Sequence, residues 1–288
     1  MNVLIVGANG QLGRALQETA PSNANVTPRD IPDLDIVDTS AVLRVCRESS
    51  PDVVINAAAY TAVDKAESES DLAHAINVEG VRNLAAASAD VGASLIHVST
   101  DFVFDGTSST PYRPEDEPSP VSVYGRTKHE GEVAVRELRP GSGTVVRTAW
   151  LYGEHGGNFV KTMLRLMRER DEISVVADQT GTPTWASSLA GALWGLAAQS
   201  GLSGIFHWTD GGQATWHEFA NAVQEEALSL GILKKAIPVH AITTDEYPTP
   251  AQRPKYSVLD CTSTQEVLGY EPADWRVNLR RMLKAMRS

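Results

Sequence analysis

The sequence predicts an α/β fold in which a doubly wound parallel sheet is followed by a smaller C-terminal lobe. Apolar, β-branched runs such as residues 3–6 and 53–56 suit strands that are buried on both faces. Helical patterns alternate with such runs through residue 150, which favours right-handed βαβ crossovers. A glycine-rich turn joins the first strand to the first helix, as in domains that bind dinucleotides.

The elements of the first half follow one another regularly. A second strand at residues 25–27 ends near Asp30, and Asp38 is expected to cap a helix that runs to about residue 49. The next strands and helices are expected, in order, at residues 53–56, 72–91, 95–99, 122–138 and 144–147. Residues 101–123 form a proline-containing loop of a length that is uncommon unless it is functional. Residues 1–150 therefore predict a Rossmann-like dinucleotide-binding domain.

Beyond residue 150 the alternation loosens. Helices are expected at residues 158–170 and 187–198, strands at 173–176 and 204–209, and an irregular tail with short helices after them. We expect residues 185–222 to return to the first domain. The smaller, substrate-binding lobe then consists of residues 151–184 and 223–288.

Composition excludes several classes of protein. The chain has 288 residues, of which 42% are hydrophobic and 21% charged, as in ordinary soluble proteins. A net charge of −11 argues against nucleic-acid binding and leaves no polybasic membrane patch. Cys46 and Cys261 have neither disulfide nor metal-ligand spacing. Because the first residues enter a strand without a signal sequence, we expect a cytoplasmic protein.

The glycine turn predicts a cofactor site. Gly7 permits the tight turn, Gly10 lets the backbone approach a pyrophosphate, and Gly13 lets the helix lie close to the strand. The spacing is G-x-x-G-x-x-G rather than the commoner G-x-G-x-x-G. Asp30 stands where an acidic residue usually accepts the adenosine ribose hydroxyls, whereas the adjacent Arg29 suits a 2′-phosphate. The choice between NADH and NADPH therefore stays open.

Tyr124 and Lys128 are four residues apart on a predicted helix, so their side chains leave the same face. An ammonium near a phenol favours the phenolate, and we expect Lys128 to lower the pKa of Tyr124 from about 10 toward neutrality. Tyr124 would then exchange a proton with a substrate oxygen. Thr100, at the end of the fourth strand, is expected to bind the same oxygen. The alternative is an incidental surface pair, because Y-x-x-x-K also occurs by chance.

Several segments of the chain form a set that is recognisable as a whole. They are GANGQLG (7–13), NAAAYTAVDKAE (56–67), HVSTDFVFDG (97–106), YGRTK (124–128), VRTAWLYG (146–153), NFVKTM (158–163), DQTGTPT (178–184) and RPKYSVLD (253–260). Together they resemble the dTDP-4-dehydrorhamnose reductase family, a branch of the extended short-chain dehydrogenase/reductases. TAVDKAE, STDFVFDG and DQTGTPT are particular to this branch.

The resemblance implies a reaction and a role for each catalytic residue. NADPH or NADH would reduce the C4 keto group of dTDP-4-dehydro-L-rhamnose, a nucleotide sugar, to give dTDP-L-rhamnose. Tyr124 would be the proton donor, Lys128 would tune it and hold the nicotinamide ribose, and Thr100 would bind the reacting oxygen.

The resemblance also implies binding residues. Those expected at the cofactor are Gly7, Asn9, Gly10, Gln11, Leu12, Gly13, Asp30, Asp35, Ile36, Ala59, Tyr60, Thr61, Tyr124 and Lys128. Those expected at the substrate are Thr100, Asp101, Tyr124 and Trp150. Arg253 is a further candidate, for the diphosphate, because a guanidinium pairs well with phosphate oxygens. The alternatives are a core aromatic residue for Trp150 and a surface arginine for Arg253.

One departure from the family pattern concerns assembly. Some members form dimers bridged by Mg²⁺ on two glutamates, one in the first helix and one after the G-x-P-T turn. Ala15 and Ser187 stand at these positions and cannot ligate the ion as a carboxylate does. We therefore expect no metal site, and a monomer or a weak homodimer without a Mg²⁺-bridged interface.

Two other functions remain as alternatives. The first is another nucleotide-sugar enzyme of the superfamily, an epimerase or a dehydratase. A dehydratase places an acidic pair after the catalytic threonine, whereas Thr100 is followed by Asp101 and Phe102. The second is a non-catalytic, NADP-binding regulatory subunit like the β-subunit of methionine adenosyltransferase.

Overall fold

The computed structural model describes residues 1–287. Its strands are β1 (Asn2–Val6), β2 (Asn25–Arg29), β3 (Val53–Asn56), β4 (Ser94–Thr100), β5 (Gly143–Thr148), β6 (Leu151–Tyr152), β7 (Ile173–Val176), β8 (Thr180–Gly181), β9 (Thr184–Trp185), β10 (Gly204–His207), β11 (Ala214–Thr215) and β12 (Val239–Ile242). Its α-helices are α1 (Gln11–Glu18), α2 (Thr39–Ser49), α3 (Val63–Ala66), α4 (Ser70–His74), α5 (Gly80–Asp90), α6 (Val123–Leu138), α7 (Phe159–Glu169), α8 (Ala186–Ala197), α9 (Trp216–Ser229), α10 (Thr262–Leu268) and α11 (Trp275–Ala285).

A six-stranded parallel sheet confirms the predicted α/β fold. Its strand order is β10-β5-β4-β3-β1-β2. The chain passes from β1 to β2 on one side and then returns to place β3 on the other side of β1. This reversal is the switch point at which ligands bind in open α/β sheets. The glycine turn after β1 and the small residues after β3 meet there.

The local signals of the first half are confirmed. Asp38 caps α2 by accepting a hydrogen bond from the backbone N–H of Ala41 at 3.0 Å, and Ser122 caps α6 in the same way through Gly125. The long helix expected at residues 72–91 begins at Ser70. It contains a π-helical turn, Ala75–Glu79, between α4 and α5.

Separate apolar clusters cover the two faces of the sheet. On one face, α1 and α8 pack against the strands, and on the other α2, α5 and α6 do so. The unbroken apolar runs of β1 and β3 fit this burial, since their side chains meet a helix layer on either face.

A third apolar cluster joins α7, β7, α9 and α11. The expectation of an irregular tail with only short helices is wrong here, because α9 has fourteen residues and buries Phe219 and Val223 in this cluster. The division of the chain into two domains stays a prediction; a boundary at residue 222 would fall within α9, which packs with α7 and α11. By contrast, α10 packs on α8 and β10 of the large sheet. The mixed apolar and polar spacing of α9 concealed it in the sequence.

Within residues 1–287, no helix combines the length and the apolar character that crossing a membrane requires.

Candidate active site

The glycine turn is closely packed where glycine is needed and open where a ligand would lie. Gly7 has φ +80°, and a Cβ there would come within 2.5 Å of the Ala58 nitrogen. A Cβ on Gly13 would come within 2.1 Å of the Gly7 carbonyl oxygen. Gly10 is exposed and is the N-cap of α1, without the side-chain acceptor that Asp38 supplies to α2. The first-turn amides of α1 are therefore available to a phosphate.

Gly13→Ala tests this packing. Overpacking of this kind costs about 1–3 kcal/mol of stability, and we expect a lower urea midpoint together with weaker binding of NADPH in a fluorescence titration. Gly191→Ala is the control, because no atom lies within 4 Å of its added Cβ in α8. That control should gain about 0.4–1 kcal/mol. Unchanged NADPH affinity in Gly13→Ala would count against the turn as the pyrophosphate site.

Asp30 fastens the glycine turn to the end of β2. Its Oδ2 accepts a hydrogen bond from the backbone N–H of Asn9 at 2.7 Å, and its Oδ1 accepts one from Ile31 at 2.8 Å. The carboxylate is partly exposed and has lone pairs left for a ribose hydroxyl. Its role toward the ribose stays a prediction, as does the choice between NADH and NADPH.

Two of the residues expected at the cofactor have side chains engaged elsewhere. Leu12 is buried in the core between α1 and α8, so only its main chain can reach a ligand. Gln11 donates to the Leu151 carbonyl oxygen at 3.2 Å and accepts from Asn158 Nδ2 at 2.8 Å. Gln11 therefore connects the glycine turn to residues 151–158.

The segments after β2 and β3 lie beside the turn. Asp35 accepts from the backbone N–H of Val37 at 3.0 Å, and Ile36 is buried with α2 and α5. Ala59 and Thr61, which follow β3, flank Tyr60 and are partly buried and exposed respectively.

Asn77, which the sequence interpretation missed, clamps Tyr60 to α6. Its side chain accepts from the Tyr60 backbone N–H at 2.9 Å and donates to Thr127 Oγ1 at 3.1 Å. Asn77 lies in the π-helical turn, a feature common near functional sites. The Tyr60 hydroxyl donates to Glu69 at 2.6 Å, and this bond is the main reason that the pKa of Tyr60 rises to about 12.

Thr100, Asp101 and Tyr124 come together at the carboxyl end of β4. Thr100 Oγ1 donates to Asp101 Oδ1 at 3.0 Å and lies close enough to the Tyr124 hydroxyl to lower the pKa of Tyr124 slightly, against the larger effect of burial. Burial raises the pKa of Asp101 to about 6. The structure thus places Tyr124, the predicted proton donor, near Thr100, the residue predicted to bind the same substrate oxygen.

The expected effect of Lys128 on Tyr124 is wrong for the ligand-free protein. Burial raises the pKa of Tyr124 to about 12, with a smaller contribution from Asp101, and Lys128 does not counter the shift. Lys128 Nζ instead donates to the Val98 carbonyl oxygen at 2.7 Å. Four-residue spacing places the two side chains on one face of α6 but does not fix where the longer one ends.

A cavity of about 570 Å³ lies between the segments that follow β4 and β5 and the elements α7, β7 and α9. Trp150 lines it in a left-handed backbone conformation, φ +46°, of a kind that clusters at functional sites. The Trp150 ring stacks on Trp216 with centroids 3.5 Å apart. A Cβ on Gly181 would come within 2.5 Å of that ring, which explains the glycine in this part of DQTGTPT.

Arg253 also lines this cavity, but its guanidinium is already paired. It donates to both carboxylate oxygens of Asp64, at 3.0 and 2.8 Å, and to the Ala251 carbonyl oxygen. The hydrogen bond from Arg253 lowers the pKa of Asp64. Asp64 lies in TAVDKAE and Arg253 in RPKYSVLD, so this ion pair links two of the sequence segments.

Ala15 and Ser187 take different places in the structure. Ala15 is buried between α1 and α8, and Ser187 is partly exposed in the first turn of α8. Across residues 1–287, no three His, Cys, Asp or Glu side chains are grouped so that they could hold a metal ion.

Comparisons with known proteins extend over the whole chain. A family model described as the RmlD substrate binding domain matches residues 1–288. The chain is 43% identical over 287 residues to the dTDP-4-dehydrorhamnose reductase of Aggregatibacter actinomycetemcomitans, covering 97% of each. It is 44% identical to the crystal structure of a Clostridium acetobutylicum dTDP-4-dehydrorhamnose reductase, with a TM-score of 0.93 and 100% of each chain covered. The Bacillus anthracis dTDP-4-dehydrorhamnose reductase in complex with NADP is 41% identical, with a TM-score of 0.92 and 99% of each chain covered.

Proposed function

The chain belongs to the dTDP-4-dehydrorhamnose reductase family, and we propose that it reduces the C4 keto group of dTDP-4-dehydro-L-rhamnose to give dTDP-L-rhamnose. The observation that carries this proposal is the meeting of Thr100 and Tyr124 at the carboxyl end of β4. Two hydroxyl groups there can hydrogen-bond one carbonyl oxygen, and the aromatic cavity beside them is large enough for a sugar nucleotide.

NADPH or NADH, when bound, supplies the hydride. The glycine turn fits a pyrophosphate, because Gly10 leaves the amides at the start of α1 uncovered. The Bacillus anthracis relative that carries NADP supports a nicotinamide cofactor here. We place the cofactor across the switch point between β1 and β3, with Lys128 at the nicotinamide ribose.

Tyr124 protonates the oxygen that becomes the C4 hydroxyl. Its pKa of about 12 keeps the phenol protonated at neutral pH, which is the form that a proton donor needs. Thr100 orients the same oxygen when its single hydroxyl hydrogen, which is donated to Asp101 Oδ1 at 3.0 Å without substrate, turns to the substrate oxygen instead. Once Tyr124 has given up its proton, an ammonium at Lys128 would favour the phenolate that remains.

The cavity offers a nucleotide sugar an aromatic surface and a guanidinium group. The stacked rings of Trp150 and Trp216 line the cavity. Phe102 lines it too, and its ring meets that of Tyr124 edge-on, with the two centroids 5.5 Å apart. Arg253 suits the diphosphate, which would replace Asp64 as its partner.

Arg253→Lys tests the diphosphate contact. A point charge cannot reproduce a bidentate guanidinium contact, and losing a charge-assisted hydrogen bond costs about 1.5–3 kcal/mol. We therefore expect KM for dTDP-4-dehydro-L-rhamnose to rise roughly 10- to 100-fold, with a smaller change in kcat. Arg276→Lys is the control, because Arg276 is also paired with carboxylates but does not line this cavity. An equal KM for the two variants would exclude Arg253 from the diphosphate site.

We further propose a cytoplasmic monomer or weak homodimer that needs no Mg²⁺ for assembly. Alanine at position 15 and serine at 187 provide no carboxylate for a bridging ion. Sedimentation velocity should give the same species with EDTA and with MgCl₂. A dimer that dissociates in EDTA would contradict this.

Incubation of the purified protein with dTDP-4-dehydro-L-rhamnose and either NADPH or NADH tests the function itself. We expect stoichiometric cofactor oxidation and a product with the mass and the NMR spectrum of dTDP-L-rhamnose. Turnover without net cofactor consumption would indicate an epimerase. Cofactor binding without oxidation would leave the regulatory-subunit alternative.

A further inference from the structure

Three buried polar side chains, one each on β3, β4 and α6, contact one another in a row. Asn56 and His97 are paired in the register of β3 with β4. Asn56 Nδ2 lies 3.0 Å from His97 Nδ1, and His97 Nε2 lies 3.3 Å from Lys128 Nζ. All three residues are at most 2% exposed, so solvent does not share these contacts.

The orientation of Asn56 determines which nitrogen of His97 carries the proton. The Asn56 carbonyl oxygen Oδ1 accepts a hydrogen bond from the Ala58 backbone N–H at 3.0 Å. The amide therefore turns its NH₂ group to His97, and Nδ1 must accept. Burial lowers the pKa of His97 well below its usual value, so the ring is neutral. A neutral imidazole has one N–H, and here it is on Nε2.

The Nε2–H of His97 then points at Lys128 Nζ. An ammonium has only N–H donors and cannot accept this bond, whereas a neutral amine has a lone pair that can. Lys128 also donates to the Val98 carbonyl oxygen at 2.7 Å, which either form allows. The contact with His97 therefore distinguishes the two forms of Lys128 and favours the amine.

We propose that His97 is a positioning residue that acts through Lys128, with Asn56 fixing its tautomer so that its Nε2–H favours the neutral amine of Lys128 in the ligand-free protein. For its effect on turnover, this inference rests on the proposed function. The contact itself is a property of the free protein. A Lys128 held near the point of deprotonation can gain a proton when a ligand arrives and lose it again afterwards.

Other charged and titratable groups surround Asn56, His97 and Lys128, and burial and charge have opposite effects on the pKa of Lys128. The surrounding groups are Tyr124, His129 and Glu132 on α6, Asp101 after β4, Arg147 on β5 and His207 on β10. Glu132 raises the pKa of both His97 and Lys128, but it is itself paired with Arg147 at 2.7 Å. Burial is the larger influence on Lys128 and lowers its pKa to about 8.

NMR on the ligand-free protein tests the proposal without any catalytic assay. Histidine labelled with ¹⁵N reports the tautomer through long-range couplings, and the spectrum of His97→Gln assigns the His97 signals. We expect His97 to be protonated on Nε2 alone at pH 9, where Lys128 has lost its proton. Lysine labelled with ¹³C at Cε should show Lys128 titrating near pH 8. Protonation of His97 on Nδ1 would overturn the proposal.

Two variants change the contact in a predictable direction. Asn56→Asp presents a carboxylate oxygen to Nδ1, which moves the histidine proton there and leaves Nε2 to accept from an ammonium. The titration midpoint of Lys128 should rise by about one pH unit or more, a tenfold change in proton affinity. His97→Gln provides a carbonyl acceptor without a new charge and should shift the midpoint in the same direction. An unchanged midpoint in both variants would refute the positioning role.

The pH profile of turnover links the contact to catalysis. In Asn56→Asp the alkaline limb of kcat should move upward together with the Lys128 midpoint, which a merely structural role would not produce. A midpoint that moves while the limb stays would overturn the catalytic part of the proposal. If the wild type shows the expected NMR signals but does not reduce dTDP-4-dehydro-L-rhamnose, the contact stands and the proposed function fails.

Discussion

Replacing Tyr124 by phenylalanine will lower kcat by roughly 10²–10⁴-fold, the usual contribution of a general acid. The reacting oxygen will still meet Thr100, but no group will protonate it. Phenylalanine keeps the ring and its edge-on contact with Phe102, so the fold and the cofactor site should be unaffected. The measurement is the rate of NADPH oxidation with dTDP-4-dehydro-L-rhamnose, together with a fluorescence titration of NADPH binding.

Tyr112→Phe is the matched control for this experiment. Tyr112 is also a partly enclosed phenol, stacked on Phe104 and hydrogen-bonded to Asp105 at 2.9 Å, but it has no place in the proposed site. Removing the Tyr112 hydroxyl should leave kcat unchanged. Comparable rates for the wild type and Tyr124→Phe would exclude Tyr124 as the proton donor.

Arg147→Met will destabilise the protein by about 3–5 kcal/mol, because it leaves a buried carboxylate without its partner. Arg147 and Glu132 form two hydrogen bonds, of 2.9 and 2.7 Å, and both side chains are at most 1% exposed. The guanidinium also lies 5.0 Å from the centre of the Phe104 ring. Urea unfolding at neutral pH measures the change.

Arg47→Met is the control, because Arg47 forms a similar two-bond ion pair that is exposed to solvent. Arg47 also makes two hydrogen bonds to one carboxylate, Asp90, at 2.8 and 3.1 Å, but both side chains are well exposed. Exposed pairs contribute little, so its urea midpoint should hardly move. The double variant Glu132→Leu with Arg147→Met should recover most of the loss, because it leaves no unpaired charge. An Arg147→Met variant as stable as Arg47→Met would contradict the account.

Lowering the pH should remove the stabilisation that the Glu132–Arg147 ion pair provides. Burial alone would raise the pKa of Glu132, but the hydrogen bonds from Arg147 and His129 outweigh it and lower this pKa to about 2. A carboxyl group with a lowered folded pKa stabilises the fold above its unfolded value, about 4.3, and ceases to do so as the pH falls toward 2. The urea midpoint of the wild type should therefore fall across this window more steeply than that of the double variant.

The fold of the first half was predictable because local and global signals agree there. The runs of β1 and β3 are apolar because helices cover both faces of the sheet. Capping residues such as Asp38 act within three residues, so their effect is visible in the sequence. In the second half α9 escaped prediction, because its buried residues include Gln224 besides the apolar ones and blur the helical period.

The site was predictable only in part. The positions of Thr100 and Tyr124 follow from a strand end and a helix start, and the structure brings them together. The partner of Lys128 does not follow from spacing, because a long side chain can turn to either side of its helix. Polar residues within apolar strands, namely His97 and Arg147, were the available signal for the buried network. Which residues they pair with depends on neighbouring strands that are distant in sequence.

The central claim is that this chain transfers hydride to C4 of a nucleotide sugar. NADPH deuterated on the transferred position of its nicotinamide ring, incubated with dTDP-4-dehydro-L-rhamnose and the protein, tests it most directly. The account predicts dTDP-L-rhamnose with one deuterium, located at C4 by NMR. A product without deuterium, or with deuterium at another carbon, would contradict the proposed reduction.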